Sequence, residues 1–226
     1  MSETNFNKLQ TAYWRDEIQK QRRDPRHPIV KAYVEPKLRY ICSKIDLGKN
    51  STVLEVGGGN GYFSYYLDRI SQLTATDFSP VILEQNPVGR KSVMDARNLQ
   101  FSDRSFDIVF CHALLHHIDP EERAAVVKEM KRVARRYVVA IEPNIYNPLM
   151  ALFGLLKKEE RGSLVFSPQY LKKLFTDTGL SVVSERSFGL LTPNRMPIPK
   201  FLLPLEAALF EKPLWNGICN ILIVSK

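Results

Sequence analysis

The stretch Val53-Leu54-Glu55-Val56-Gly57-Gly58-Gly59-Asn60-Gly61-Tyr62-Phe63-Ser64 constrains this chain more than any other. It reads as a short apolar strand ending in a carboxylate, a glycine-rich turn and the start of a helix, the geometry of a nucleotide-type cofactor site in an α/β protein. Four glycines within five residues cost backbone entropy, and close approach of a ligand is the usual reason to tolerate that. A dinucleotide turn requires G-x-G-x-x-G; here Gly57 and Gly59 are followed by Tyr62, so the third glycine is missing. Glu55 would also repel a pyrophosphate, whereas a cationic ligand would be attracted to it.

The segment resembles motif I of the class I S-adenosylmethionine-dependent methyltransferases, V-L-D-x-G-C-G-x-G, with Glu55 for the acid and Gly58 for the common Cys. That cofactor carries a sulfonium and an ammonium and no phosphate. The resemblance makes Glu55, Gly57, Gly58, Gly59, Asn60 and Gly61 cofactor-binding candidates. Asp77, 20 residues beyond Gly57, ends the next apolar strand and is followed by Phe78. An ionised acid there offers two acceptor oxygens to ribose hydroxyls, as NAD folds also use. Asp95-Ala96, leading into Leu99 to Asp107, resembles the family's D-A-x-x-L-P-F-x-D-x-S-F-D segment, with Gln100 in place of the Pro. The resemblance implies that Asp95 accepts from the adenine amino group and that the next backbone N–H meets ring N1.

Phe106 to Ile118 resembles the F-D-x-V-x-x-x-x-x-L-H-H pattern of the methyltransferase type 11 group. Ligands sit beyond the C-terminal ends of strands in open α/β sheets, so Cys111 and His112 are expected near the sulfonium. His112 is the candidate catalytic residue and a cofactor contact; His116 and His117 read as structural, with His116 also a substrate-side candidate. His112 and His116, at i and i+4, could share a helix face as metal ligands do. No carboxylate or thiolate at ligand spacing completes that set, and no metal is expected. Cys111 lacks the Pro-Cys pairing of cytosine C5 methylation and N-P-P-Y is absent, so DNA is not an expected substrate. Cys111 reads as a small buried hydrophobe.

Alternating strand and helix patterns argue for a parallel sheet with helices on both faces. The family resemblance implies a Rossmann-like, doubly wound, seven-stranded sheet in the order 3-2-1-4-5-7-6 with strand 7 antiparallel. At 226 residues the chain suits a single domain: an N-terminal helical lid (1–50), a cofactor-binding core (51–142), and substrate-side insertions with the last two strands (143–226). Predicted helices cover Phe6 to Trp14, Ile29 to Ile45, Gly61 to Ile70, a segment opened by Ser79-Pro80, Pro120 to Ala134, Leu149 to Leu156, and a segment from Ser167-Pro168 to Thr178. The cluster Lys128, Lys131, Arg132, Arg135 and Arg136 is placed at a helix end, where cations suit the dipole.

The net charge of +8 raises RNA or protein methylation as an alternative, and a non-catalytic cofactor-binding scaffold as another. No RNA-binding module is readable. Cys42, Cys111 and Cys219 form no C-x-x-C pair, and the polar start lacks a signal-peptide core, so a cytoplasmic setting is expected. No run is long and apolar enough to span a bilayer. The resemblance implies that the N-terminal helices and the insertions after Pro143 form the lid that meets the acceptor, and these carry Tyr13, Trp14, Ile145, Tyr146, Met150, Phe153, Phe201, Leu202, Leu203, Phe210 and Trp215. Tyr13, Trp14, His116 and Tyr146 are the substrate-side candidates. This composition suits a small, hydrophobic or lipid-like acceptor and leaves three roles open for the Pro-rich insert Leu191 to Pro213: lid, homodimer face of an otherwise monomeric chain, or peripheral membrane contact.

Overall fold

The computed structural model describes residues 4–16, 19, 21–190, 192 and 217–226. Strands β1 (Thr52–Val56), β2 (Gln72–Asp77), β3 (Lys91–Val93), β4 (Phe106–His112), β5 (Ala134–Pro143), β6 (Ser181–Phe188) and β7 (Cys219–Ser225) form a sheet in the order β3-β2-β1-β4-β5-β7-β6. The first five are parallel, and β7 runs antiparallel to both β5 and β6, as the resemblance implied. The chain leaves β1 toward one edge and returns through β4 to the other side. This reversal opens a crevice beyond the C-terminal ends of β1 and β4.

Side chains of successive strand residues point to opposite faces, so each central strand feeds two cores. Val53, Phe110, Val139 and Ile141 pack with helices α2 (Pro28–Cys42) and α3 (Ser64–Ile70). Leu54, Val109, Cys111 and Val138 pack with α5 (Arg123–Val133) and α7 (Pro168–Thr176). Burial on both faces is why these strands read as continuous apolar runs.

Helix starts follow the local sequence closely. His27-Pro28 opens α2, Ser79-Pro80 opens α4 (Pro80–Leu83), Asn147-Pro148 opens α6 (Pro148–Leu156) and Ser167-Pro168 opens α7. In each, the cap side chain accepts a backbone N–H of the first turn and proline supplies a preset φ where no donor is needed. Helix α1 (Asn5–Arg15) is capped by Thr4, whereas α3 and α5 start without a side-chain cap.

Several expected boundaries are corrected. The helix after β1 starts at Ser64, because residues 61–63 complete the glycine turn. Helix α5 starts at Arg123, since Asp119 closes a turn by accepting the Glu121 N–H on its side chain and the Glu122 and Arg123 N–H groups on its carbonyl. Helix α2 ends at Cys42, before Ile45. Arg135 and Arg136 lie on β5 and not at a helix end; Arg135 pairs with Asp107 and Arg136 with Asp46. After α6 the chain forms a 3-10 segment, Lys158–Val165. The expectations on Phe201, Leu202, Leu203, Phe210 and Trp215 lie outside the described residues.

Candidate active site

The glycine turn is tied to β2 by Gly57 and Gly58 N–H donating to the Thr76 carbonyl at 2.8 and 2.9 Å. Gly57 has φ +74°, and a Cβ there would lie 2.9 Å from Leu114 Cδ1, so the turn and the loop after β4 meet only because Gly57 lacks a side chain. Gly61, at φ +93°, would drive a Cβ into Pro87 and Asn86, and it is absent from the cavity wall. Packing against Pro87 and Asn86 thus requires glycine at this position, whatever it contributes to the cofactor.

A cavity of about 1790 Å³ opens at the switch point. One part of its wall carries Glu55, Gly57, Gly58, Gly59, Asn60 and Asp77, with Phe78, Asp95 and Ala96 beside them. Asp77 accepts the Gly59 N–H at 2.9 Å and the Ser79 N–H at 2.8 Å, which bends the β2 end around the turn. Burial raises its carboxyl despite these contacts. Glu55 is 2% exposed and hydrogen-bonded by Ser64 Oγ. Burial pushes its carboxyl up to about 8, the Ser64 hydroxyl opposes this, and nearby Asp77 adds to it. Two carboxylates held close together in a buried site suit a cationic ligand, although Arg22 also acts on Asp77 from the same wall. Asp95 is gripped by Arg97 at 2.6 Å, and that contact outweighs burial to lower its carboxyl. Asn60 donates to the Arg23 carbonyl at 2.8 Å and so ties the N-terminal segment over the turn.

His112 ends β4 on the same wall, with Nε2 2.9 Å from Tyr33 Oη of α2. Burial, with the neighbouring cations Lys37, His116 and Arg22, holds this imidazole down near 3, so it is neutral. Cys111 is fully buried behind the wall, and burial pushes its thiol well up.

His116 and His117 sit on a 3-10 turn (Leu115–His117), so His112 and His116 share no helix face, contrary to the i, i+4 reading. Glu142, at the end of β5, accepts the Leu114 and Leu115 N–H groups at 2.9 and 2.7 Å on one oxygen. Its other oxygen lies 2.7 Å from His116 Nδ1, and Glu160 lies 3.3 Å from His116 Nε2. Burial by itself lowers His116, but the two carboxylates outweigh it and lift the imidazole to about 9. His117 packs edge-on against Trp14 and bonds Gln10, so α1 is fastened to this loop.

The sequence offered no carboxylate to complete a metal set, yet Glu160 arrives from a distant segment. His116, His117 and Glu160 present ligand atoms within 4.8 Å of one another. Within this cluster His116 Nε2 and Glu160 already pair with each other at 3.3 Å. Tyr13, Trp14 and His116 line the cavity, whereas Tyr146 is 55% exposed, bonds Gln169, and is absent from the wall. An apolar part of the wall comes from α6 through Leu149, Met150, Leu152, Phe153 and Leu156, and further wall from α1, Arg22, Arg23 and the segments around Asp119 and Ile218.

Tyr33, Glu142 and Glu160 carry much of this architecture, and sequence reasoning missed all three. Only Glu142 had a signal, as a carboxylate closing an apolar strand at the sheet's ligand-binding end.

Comparison with known proteins agrees with this geometry. The family pattern described as a methyltransferase domain matches residues 54–140. The chain is 31% identical over 152 residues to a phosphatidylethanolamine N-methyltransferase of Cereibacter sphaeroides, spanning 61% of this chain and 73% of that protein. The chain belongs to the class I S-adenosylmethionine-dependent methyltransferases. A methyltransferase structure from Thermotoga maritima, described as a possible histamine N-methyltransferase, superposes with TM-score 0.66 at 16% identity, covering 88% of this chain and 91% of that one. One from Archaeoglobus fulgidus gives TM-score 0.63 at 16% identity, covering 84% and 91%. The fold and reaction class of this methyltransferase are therefore those expected from its motifs. Among the described residues, no helix is long and apolar enough to cross a membrane.

Proposed function

We propose that this methyltransferase moves the methyl group of S-adenosylmethionine to the amino nitrogen of a phospholipid-type amphiphile. The carrying observation is the two-part cavity, acidic and glycine-lined beside β1 and β2, apolar where α6 forms the wall. Its volume exceeds the roughly 300–1,000 Å³ typical of a single small ligand, leaving room for an acceptor beside the cofactor. The phosphatidylethanolamine activity of the Cereibacter relative supports the same acceptor class.

When bound, the cofactor supplies an electrophilic methyl on a sulfonium. In this reading Glu55 and the glycine turn hold its cationic end, Asp77 accepts ribose hydroxyls, and Asp95-Ala96 meets the adenine edge. The neutral Tyr33–His112 pair lines the acceptor side. It introduces no cation to repel an ammonium and offers hydrogen bonds that orient an amine's lone pair. An imidazole held near 3 is too weak a base to deprotonate an alcohol; an amine attacks as its free base once its ammonium proton has passed to water, and further protons released on methylation leave the same way. Leu149, Leu152, Phe153 and the other α6 side chains on the wall present an apolar surface to the acceptor's hydrocarbon chains.

A transfer assay with methyl-labelled cofactor against lipid, polar-metabolite and RNA fractions of a cell extract tests the proposal. Label is expected in aminophospholipids; label confined to polar metabolites or RNA would contradict it.

A further inference from the structure

Helix α6, Pro-Leu-Met-Ala-Leu-Phe-Gly-Leu-Leu, has no charged residue, and most of it faces outward. Leu149, Leu152, Leu155 and Leu156 are 62, 52, 63 and 71% exposed, and Phe153 is also exposed. Its small residue explains the orientation. Gly154 is buried against the 3-10 segment, where a Cβ would lie 2.8 Å from both Ser163 Oγ and Leu164 Cδ2. The helix therefore docks by its narrowest side and presents its large ones. Apolar area gathered on one exposed element marks an interaction site.

Charge at the helix end is sorted by sign. Lys157, Lys158 and Arg161 are exposed, whereas Glu160 is turned inward to His116. The cations are left at the surface beside the leucines. The apolar face also runs into the cavity, since Leu149, Leu152, Phe153 and Leu156 belong to its wall.

We infer that α6 is an interfacial helix seating the cavity mouth on an anionic bilayer, its leucines entering the headgroup boundary and Lys158 and Arg161 meeting lipid phosphates. An apolar helix face with basic neighbours is the pattern that binds such surfaces. Continuity between face and cavity lets an acceptor head group enter without crossing water. This inference rests on the lipid acceptor proposed above.

The test is sedimentation of the full chain with vesicles of phosphatidylcholine alone or mixed with phosphatidylglycerol, alongside light scattering. Binding to the mixed vesicles is expected, weakened by salt. Leu155→Glu, outside the cavity wall, should weaken it at least tenfold. Lys158→Ala and Arg161→Ala should each cost about fivefold on mixed vesicles and little on phosphatidylcholine. Each variant's melting curve and cofactor calorimetry should match the parent's, separating surface loss from misfolding. No sedimentation with mixed vesicles, undiminished binding by L155E, or a parent dimer that L155E dissociates would overturn the inference. Methylation of detergent-dispersed aminophospholipid without vesicle binding would sink this inference alone, whereas vesicle binding with no lipid labelled would sink the acceptor proposal alone.

Discussion

Tyr33 Oη lies 2.9 Å from His112 Nε2, joining a helix that precedes the sheet to the end of its fourth strand. Tyr33 is buried, and its ring also meets Phe63 just beyond the glycine turn. The acceptor side is thereby braced against both the cofactor turn and the N-terminal helices.

Tyr33→Phe removes the hydroxyl while keeping the ring. With His112 short of one partner, kcat should fall about tenfold, the equivalent of one well-placed hydrogen bond. Cofactor affinity should stay within about twofold, since the hydroxyl faces the acceptor side. Steady-state kinetics and calorimetry on the same preparation check this split.

Glu55 links cofactor binding to pH. Its carboxyl stays largely protonated up to about 8, and a cationic ligand favours the ionised form. Affinity for S-adenosylmethionine should therefore rise with pH up to about 8, by at most about tenfold per unit. Glu55→Gln should bind more weakly and lose that dependence, measured by calorimetry between pH 6 and 8.

His116 works in the other direction on stability. Its raised pKa means the folded chain holds a proton that the unfolded chain releases above about 6.5. The stabilisation is complete below that pH and is lost as pH rises through about 9. The melting temperature should fall across this window, and His116→Gln should flatten the fall. Glu142→Gln leaves the buried imidazolium short of a carboxylate and should cost on the order of 3 kcal/mol by denaturant unfolding.

Gly57→Ala strains a left-handed position and presses on Leu114. It should destabilise the fold by about 1–2 kcal/mol and abolish measurable cofactor binding. Denaturant unfolding and calorimetry separate the two effects.

The sheet order was legible only through the family resemblance its motifs carry, while the strands, helix starts and the acids at the cavity's glycine-lined end were legible because their signals are local. Strand alternation, cap-proline pairs, the glycine turn and acids closing strands are all written within a few consecutive residues. The other end was not legible, because it forms by convergence. Glu142 and Glu160 reach His116 from separate segments, and Tyr33 reaches His112 across 79 positions. No spacing rule predicts such meetings. Gly61 shows the same limit on a smaller scale: its motif position suggested a ligand, and its neighbours Asn86 and Pro87 show a packing role. Tyr146 does not line the cavity, and aromatic composition says nothing about which way a side chain faces.

The most direct test of the account is head-group analysis after incubating the full chain with S-adenosylmethionine and vesicles containing phosphatidylethanolamine and phosphatidylglycerol. Hydrolysis of the recovered lipid should release N-methylated ethanolamine, in amounts matching the S-adenosylhomocysteine formed. Unmodified ethanolamine from a preparation that binds the cofactor and the vesicles would contradict the proposed acceptor.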